Sequence, residues 1–490
     1  MLIIIALFAW TAHASPLVIT EKTLASMAQN SSPELSKIQA QLLSSVTQGH
    51  ALNEKYGPEL YGRGSYAETQ ERPIIAFLPV FSPLKQAQLG VRQKFKKGFE
   101  AQLQVSTDQR SANSAVSGKY RDVTTNILSL TVQMDLWKDL FGALSEAELN
   151  QSAVAVKQAK IEEDISKKAL LITVRRLFWN LVANSEQTRI AARLEEDAKK
   201  QLADSRRRLS KSIGDTGDVA RYEAQLAQRR GQLLLLSYQK ESLLKTLKTL
   251  LPDLGGKEIT VKGYDIDQTI KAVFTCAQVI TGAPKVPWTF TRYDEVLELL
   301  KEQKSLQRNI NKRYSDVDLK LFGTAKSTGV GSNPSGVGSY RGSYGSAFDD
   351  MENNNRTGYE VGLAVSLPLG NAREETKKSR ILFDEARLDS QIKGYDAQIA
   401  STHEELSKSM ALIGQVIEAQ KQNTAALQRR LKVMQQKYAS ARVSVTDLLL
   451  DQDALLSSEL SSVDYQLQVL NVLFDYLMVF TDTPCDFNRI

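Results

Sequence analysis

The sequence predicts an α+β protein in which long antiparallel helices carry short membrane-type strands, with the whole plan occurring twice. Three observations predict it. The 12 prolines cluster so that residues 84–251 and 369–483 contain none. Short runs alternate strictly between apolar and polar residues, the pattern of strands with one apolar face. The order of elements recurs, with the pair Asp218 and Val219 matching Asp447 and Leu448 at an offset of 229, and Leu226 matching Leu455 at the same offset.

The helices come first because they occupy most of the chain. Residues 143–210 lack both Gly and Pro and are rich in Ala, Leu, Glu, Lys, Arg and Gln, all strong helix formers. Ile190, Leu194, Ala198 and Leu202 recur every fourth residue, a stripe suited to side-by-side packing. A helix of that size is about 100 Å long at 1.5 Å per residue. A break at 211–218 precedes a return helix over 219–251, stopped by Pro252. Residues 371–440 make a second long helix, 441–446 a second break, and 447–480 a second return helix. Segments 34–56 and 292–314, helical in composition, open the two copies.

Strands lie between the opening and long helices. Val317, Leu319 and Leu321, then Tyr359, Val361, Leu363, Val365, Leu367 and Leu369, define two strands of about ten residues in the second copy. The first copy has counterparts near 61–67 and 128–136, plus a hairpin: Ala87, Leu89, Val91 and Phe95, a turn at Lys96, Lys97 and Gly98, then Phe99, Ala101, Leu103 and Val105. Four strands are expected in copy one and two in copy two. Residues 327–356, rich in Gly, Ser, Asn and Tyr, read as a long polar loop. Tyr120, Tyr344 and Tyr359 are placed for an outer aromatic girdle, and Phe95, Phe99 and Trp137 for an inner one.

Residues 1–14 read as a signal peptide cleaved before Ser15, an apolar stretch too short to span a bilayer, although no Lys or Arg precedes it. Beyond it no apolar run approaches 18 residues, so a membrane would be met only through strands. Six strands cannot close a membrane barrel alone, and chains in a membrane would have to share one. The expected division is 1–14 signal, 15–254 first repeat, 255–291 an equatorial linker with a short strand and helix, and 292–490 second repeat.

The 62 basic and 56 acidic residues are interspersed and give no polyanion-binding run, which argues against nucleic acid. There is no Gly-x-Ser-x-Gly, P-loop, His-Glu-x-x-His or paired Cys motif, and His50 and His403 stand alone on helical segments. Neither an enzyme, a cofactor nor a metal site is expected. The two cysteines, Cys276 and Cys485, are able to pair in an oxidising compartment, but their separation in sequence carries no geometry.

Strand pairs set on long helices in a duplicated, secreted chain resemble the TolC-like outer-membrane efflux proteins. A local motif adds to the resemblance. Residues 366–373 (SLPLGNAR), with Pro368, Leu369 and Gly370, resemble that family's strand-to-helix junction, and residues 135–142 (DLWKDLFG), with Trp137 and Gly142, are a looser counterpart. The resemblance implies a homotrimer, a long antiparallel α-helical barrel continued by a trimer-shared transmembrane β-barrel in the outer membrane and periplasm. It implies passive export of small molecules or proteins delivered by an inner-membrane transporter and a periplasmic adaptor. The barrel would have eighteen strands if the extra hairpin joins it and twelve if not. Asp447 and Asp451, at i and i+4, would form acidic rings at the tunnel mouth, with Asp218 as the first-copy counterpart and Arg442 or Lys211 as latching cations. A plainer role for Asp218 and Asp447 is to cap their helices as N-cap residues. Adaptor tips would dock at the two breaks, around Ser212, Gly214, Gly217, Ala441 and Val443, although the family's Gly is replaced here by Ser212 and Ala441. Both cysteines would fall near the equator, which leaves a bridge between them open. The alternative is a periplasmic coiled-coil scaffold or adaptor whose strands form a soluble sheet.

Overall fold

The computed structural model describes residues 17–71, 80–114, 118–261, 265–282, 291–313, 317–331, 343–354, 356–367, 372–440 and 442–480. It divides into two compact units, one of residues 1–42, 159–298 and 393–490, the other of residues 43–158 and 299–392.

The first unit is helical. Its long components are residues of α3 (Ala143–Ser210) and α8 (Ala372–Ala439), each 68 residues, and α4 (Thr216–Leu250) and α9 (Val445–Val479), each 35 residues. No helix among the described residues is long and apolar enough to cross a membrane. Apolar stripes interlock instead. Ala183 and Ile190 of α3 pack on Leu456 and Val463 of α9. Nearer the chain breaks, Ala198 and Leu202 of α3, Tyr222 and Leu226 of α4 and Val445 of α9 form a second cluster. The stripe read from the sequence at Ile190, Ala198 and Leu202 is therefore core. Also here are β1 (Leu17–Ile19), which pairs in parallel with β6 (Ile259–Val261), α1 (Glu21–Ser31), and α5 (Ile266–Gly282), which packs on α9.

The second unit is built on one antiparallel sheet of six strands, ordered β2 (Glu59–Ala67), β3 (Val80–Phe95), β4 (Phe99–Ser114), β5 (Gly118–Asp135), β7 (Asp318–Gly331) and β8 (Thr357–Ser366). The extra hairpin, β3 and β4, is thus an integral part of the sheet, seated between β2 and β5. Strand β2 follows α2 (Pro33–Glu54), β5 leads into α3, β7 follows α6 (Arg292–Arg313), and β8 leads into α8. The strand termini that join helices therefore all lie at one end of the sheet.

Two expectations are corrected. The strands β3, β4 and β5 run to 16, 16 and 18 residues, beyond the expected spans 87–95, 99–105 and 128–136, because Ser82 and Pro83 interrupt the pattern in the far half of β3 and the far halves of β4 and β5 are largely polar. The polar loop over 327–356 is not all loop: β7 continues to Gly331, and a ten-residue helix, α7 (Tyr344–Asn353), follows. Ser343 caps α7 by accepting from Ser346 N–H, and Ser346 reciprocates, a capping box.

Candidate functional site

Two places in the chain hold the residues singled out from sequence. The first is the helix-turn tip where α3 passes into α4 and α8 into α9.

Both turns close in the same way. Ile213 N–H donates to Arg208 C=O at 3.0 Å, and Arg442 N–H donates to Lys437 C=O at 2.9 Å. Such six-to-one bonds satisfy the last carbonyls of a helix. Ser212 takes φ +57°, the left-handed conformation that Gly usually supplies. Gly214 is required by space: a Cβ there would sit 2.9 Å from Leu209 N. Gly217 faces no such demand, its nearest neighbour being Asp215 Oδ1 at 3.6 Å. Ala441 lies outside the described residues, and Val443 is half-buried beside it.

The N-caps are Asp215 and Ser444, not Asp218 and Asp447. Asp215 accepts from Gly217 N–H at 2.9 Å, and Ser444 accepts from Asp447 N–H at 3.2 Å. Asp218 and Asp447 each occupy the third helical position, where a carboxylate favours the positive end of the helix. Asp447 Oδ2 accepts in return from the Ser444 hydroxyl at 2.6 Å and stays exposed. Asp218 pairs loosely with Arg221 at 3.4 Å.

One turn along α9 the acids behave differently. Asp451 is buried and forms a two-pronged pair with Arg430 of α8, at 2.9 and 3.0 Å. The neighbouring Gln452 accepts from Gln225 of α4 at 2.8 Å, and Asp453 pairs with Arg229 of α4, a guanidinium only 2% exposed. Asp447 and Asp451 are therefore not equivalent: one is exposed at the tip and the other binds α9 to α8. Among the described residues neither Lys211 nor Arg442 pairs with Asp447 or Asp451; Arg430 holds Asp451 instead. The sequence reading missed Arg229 and Arg430, and the buried Tyr222, whose hydroxyl is pushed well above its usual pKa by burial and then by its bond with Tyr438. Arg208 lies over the Tyr438 ring at 5.5 Å. A groove of about 290 Å³ opens between α4 and α9, lined by Arg221, Gln225, Gln228, Leu449, Leu450 and Asp453.

The second place is the sheet and its junction with the helices. Cross-strand registers bring Val91, Leu103, Leu130, Ala325 and Tyr359 into one row and Leu89, Val105, Leu128 and Ser327 into the next. They share one face, and Leu89, Val91, Leu103, Val105, Leu128, Leu130, Tyr359 and Val361 are all exposed there, Tyr359 by 90%. The opposite face is polar: Arg92 pairs with Glu59 at 2.8 Å, Tyr61 donates to Gln104 at 2.9 Å, and Thr131 meets Thr324 at 3.1 Å. Monomeric soluble proteins rarely leave so broad an apolar face uncovered.

At the junction, Asp139 caps the start of α3, accepting from Leu144 and Ser145 N–H at 2.9 and 2.8 Å. Lys94 lies 3.9 Å from the same carboxylate. Gly142 has φ +81°, and Phe95 stacks on Phe99 with ring centroids 4.4 Å apart. Trp137 and Phe141 are exposed by 58% and 70%. Pro368, Leu369 and Gly370 lie outside the described residues, as does the side chain of Tyr120. Cys276, buried in α5, is disulfide-bonded; Cys485 also lies outside the described residues.

At the sequence level no protein-family model matches the chain, and no curated protein matches it. Solved structures do. The outer-membrane protein VceC of Vibrio cholerae aligns over 93% of this chain and 95% of its own, with TM-score 0.64 and 13% identity. The CmeC outer-membrane channel of Campylobacter jejuni aligns over 96% and 88%, with TM-score 0.65 and 13% identity. The open state of the MtrE outer-membrane channel of Neisseria gonorrhoeae aligns over 94% and 88%, with TM-score 0.59 and 14% identity. The chain has the fold of the TolC-like outer-membrane channels.

Proposed function

We propose that the chain is one protomer of a homotrimeric outer-membrane channel that extends into the periplasm and passively conducts small molecules or proteins. The observation that carries this reading is the six-stranded sheet with one exposed apolar face and, among the described residues, two unpaired edges, β2 and β8. On β7 the apolar-facing positions from Leu319 to Ser327 span about 27 Å along the strand, and less once tilted, the height of a lipid-facing band. Strand β2 leads away from α2 and β8 leads back into α8, so β8 of one copy meets β2 of the next antiparallel. Three copies close without free edges, and six strands each make eighteen. Uncovered apolar residues on the helices, Leu234, Leu235 and Tyr238 of α4 and Leu412 of α8, suit lateral packing of copies. The matching lengths of α3 and α8, and of α4 and α9, support an internal two-fold repeat.

In this reading Asp447, exposed at the start of α9, supplies an acidic ring at the periplasmic mouth, and the Arg430–Asp451 and Arg229–Asp453 pairs hold α9 against its neighbours. The turns at Ser212, Gly214 and Val443 are the docking tips for a periplasmic adaptor, and an inner-membrane transporter supplies the energy. Cys276 pairs with Cys485, the chain's one other cysteine.

Membrane fractionation tests the reading. Recovery in the outer membrane as a species that migrates as a trimer unless boiled supports it. Recovery as a monomer without detergent overturns it and favours a soluble periplasmic scaffold or adaptor.

A further inference from the structure

Helix α7 lies on the apolar face of the sheet, at the end away from the helical junctions. Gly329 and Gly331 of β7 share a face with Leu321 and Ala325, and through the register with Leu128 and Leu130 of β5. A Cβ on Gly329 would sit 1.9 Å from Ala347 C=O, and one on Gly331 2.6 Å from Ser343 C=O. The glycines thus let the helix backbone rest directly on the strand. Three bonds secure it: Asn126 Nδ2 donates to Tyr344 C=O at 3.0 Å, Val330 N–H donates to Asp350 at 2.8 Å, and Tyr344 hydroxyl reaches Gln109 at 3.4 Å. Thr124 and Asn126 are completely buried beneath it.

Such an arrangement hides polar strand residues beneath a helix. Row by row, the face changes from Leu89, Val105 and Leu128 to Ala87, Thr107 and Asn126, so the helix begins where the strands stop being apolar. Its flank on the side of β4, where the Tyr344 hydroxyl reaches Gln109, then restores apolar character. Tyr344 and Phe348, at i and i+4, are each 44% exposed, while Ala347 faces the sheet. Asp349 and Glu352 are exposed as well. Aromatic rings beside charged groups, immediately above an apolar band, suit the boundary between acyl chains and headgroups.

Resting on the membrane reading above, we propose that α7 is an interfacial helix that lies against the outside of the barrel and inserts Tyr344 and Phe348 into the outer rim of the bilayer. The occupant is lipid and not a second copy, because α7 sits over β4, β5 and β7, inside the sheet, whereas copies meet at β2 and β8. The helix thereby covers the polar upper strands and marks the top of the lipid-facing band.

The test uses the full-length protein reconstituted in vesicles whose lipids carry bromine near the top of the acyl chain or near its end. Phe348→Trp is compared with wild type, and Leu130→Trp, at a row within the apolar band, serves as reference; Tyr344→Trp replaces Phe348→Trp if the latter fails to form a heat-modifiable species. The inference expects the indole emission added by Phe348→Trp to fall by about half with bromine near the top of the chain, to fall less with bromine near its end, and to resist aqueous iodide. Quenching of that emission by iodide with no effect of either lipid, while the emission added by Leu130→Trp is quenched by lipid, overturns the interfacial helix and leaves the channel reading standing. Loss of lipid quenching at both positions overturns the membrane reading and this inference together.

Discussion

Gly98 and Gly142 hold two turns against each other. Both have positive φ, +79° and +81°, and a Cβ on Gly98 would lie 1.9 Å from Asp139 C=O while one on Gly142 would lie 1.9 Å from Lys96 C=O. Asp135 N–H completes the contact by donating to Gly98 C=O at 3.0 Å. The turn of the added hairpin is thereby seated on the junction between β5 and α3. Gly98→Ala and Gly142→Ala are each expected to destabilise the protein by at least about 1–3 kcal/mol, since strained backbone and steric overlap act together. Gly64→Ala, where nothing lies within 4 Å, is the control and should leave thermal unfolding nearly unchanged. Equal melting temperatures for all three would contradict the seating.

The first helix break gives a pair of opposite signs. Ser212 holds a left-handed conformation and Gly214 packs on the end of α3. Ser212→Gly should stabilise by up to about 1 kcal/mol, because it relieves a conformation that costs a side chain. Gly214→Ala should destabilise, because its Cβ meets backbone. Thermal unfolding of the two variants checks both signs.

The acids of α9 should separate in channel recordings. Asp451→Ala releases α9 from Arg430 and is expected to raise single-channel conductance. Asp447→Ala is expected to relieve block by added divalent cations, at a stability cost of about 0.3–1 kcal/mol for the acid lost from the first turn of α9. Arg430→Ala strands a buried carboxylate and should destabilise by about 1–3 kcal/mol. Unchanged conductance and unchanged cation block in the double Asp447→Ala, Asp451→Ala variant would remove the gating role.

Glu21 of α1 supplies a pH dependence. Burial pushes its carboxyl above the usual 4.5, against the opposing pull of Arg175, 2.9 Å away, and of Trp179. A raised folded-state value means that the folded chain keeps the proton longer than the unfolded one, so this group's contribution is present below pH 4.5 and is lost as pH rises through the folded value. Glu21→Gln removes that loss. The stability of the variant relative to wild type should therefore increase from about pH 4 to about pH 7, a slope read by denaturant titration at several pH values. A difference independent of pH would contradict it.

The sequence carries the long elements almost to the residue. The absence of Gly and Pro from 143–210 delimits α3 at Ala143–Ser210, and the return helices begin within three residues of their expected starts. The caps shift because Asp218 and Asp447 sit at the third helical position, a site as favourable to an acid as the cap itself. The strands are underestimated where Thr107, Thr124 and Asn126 replace apolar residues: alternation vanishes there, and α7 covers the buried Thr124 and Asn126. Helix α7 itself is hidden in a Gly- and Ser-rich segment, and the one local signal is the Ser343 and Ser346 box. The buried Arg229 is not legible at all, since an Arg pair on a polar helix reads as a solvated face until Asp453 is brought opposite.

Addition of the detergent-extracted protein to a planar lipid bilayer tests whether the chain forms a channel. Discrete steps of conductance are expected from a species that dissociates to a single chain on boiling. A purified, folded protein that remains in solution without detergent and produces no steps would contradict it.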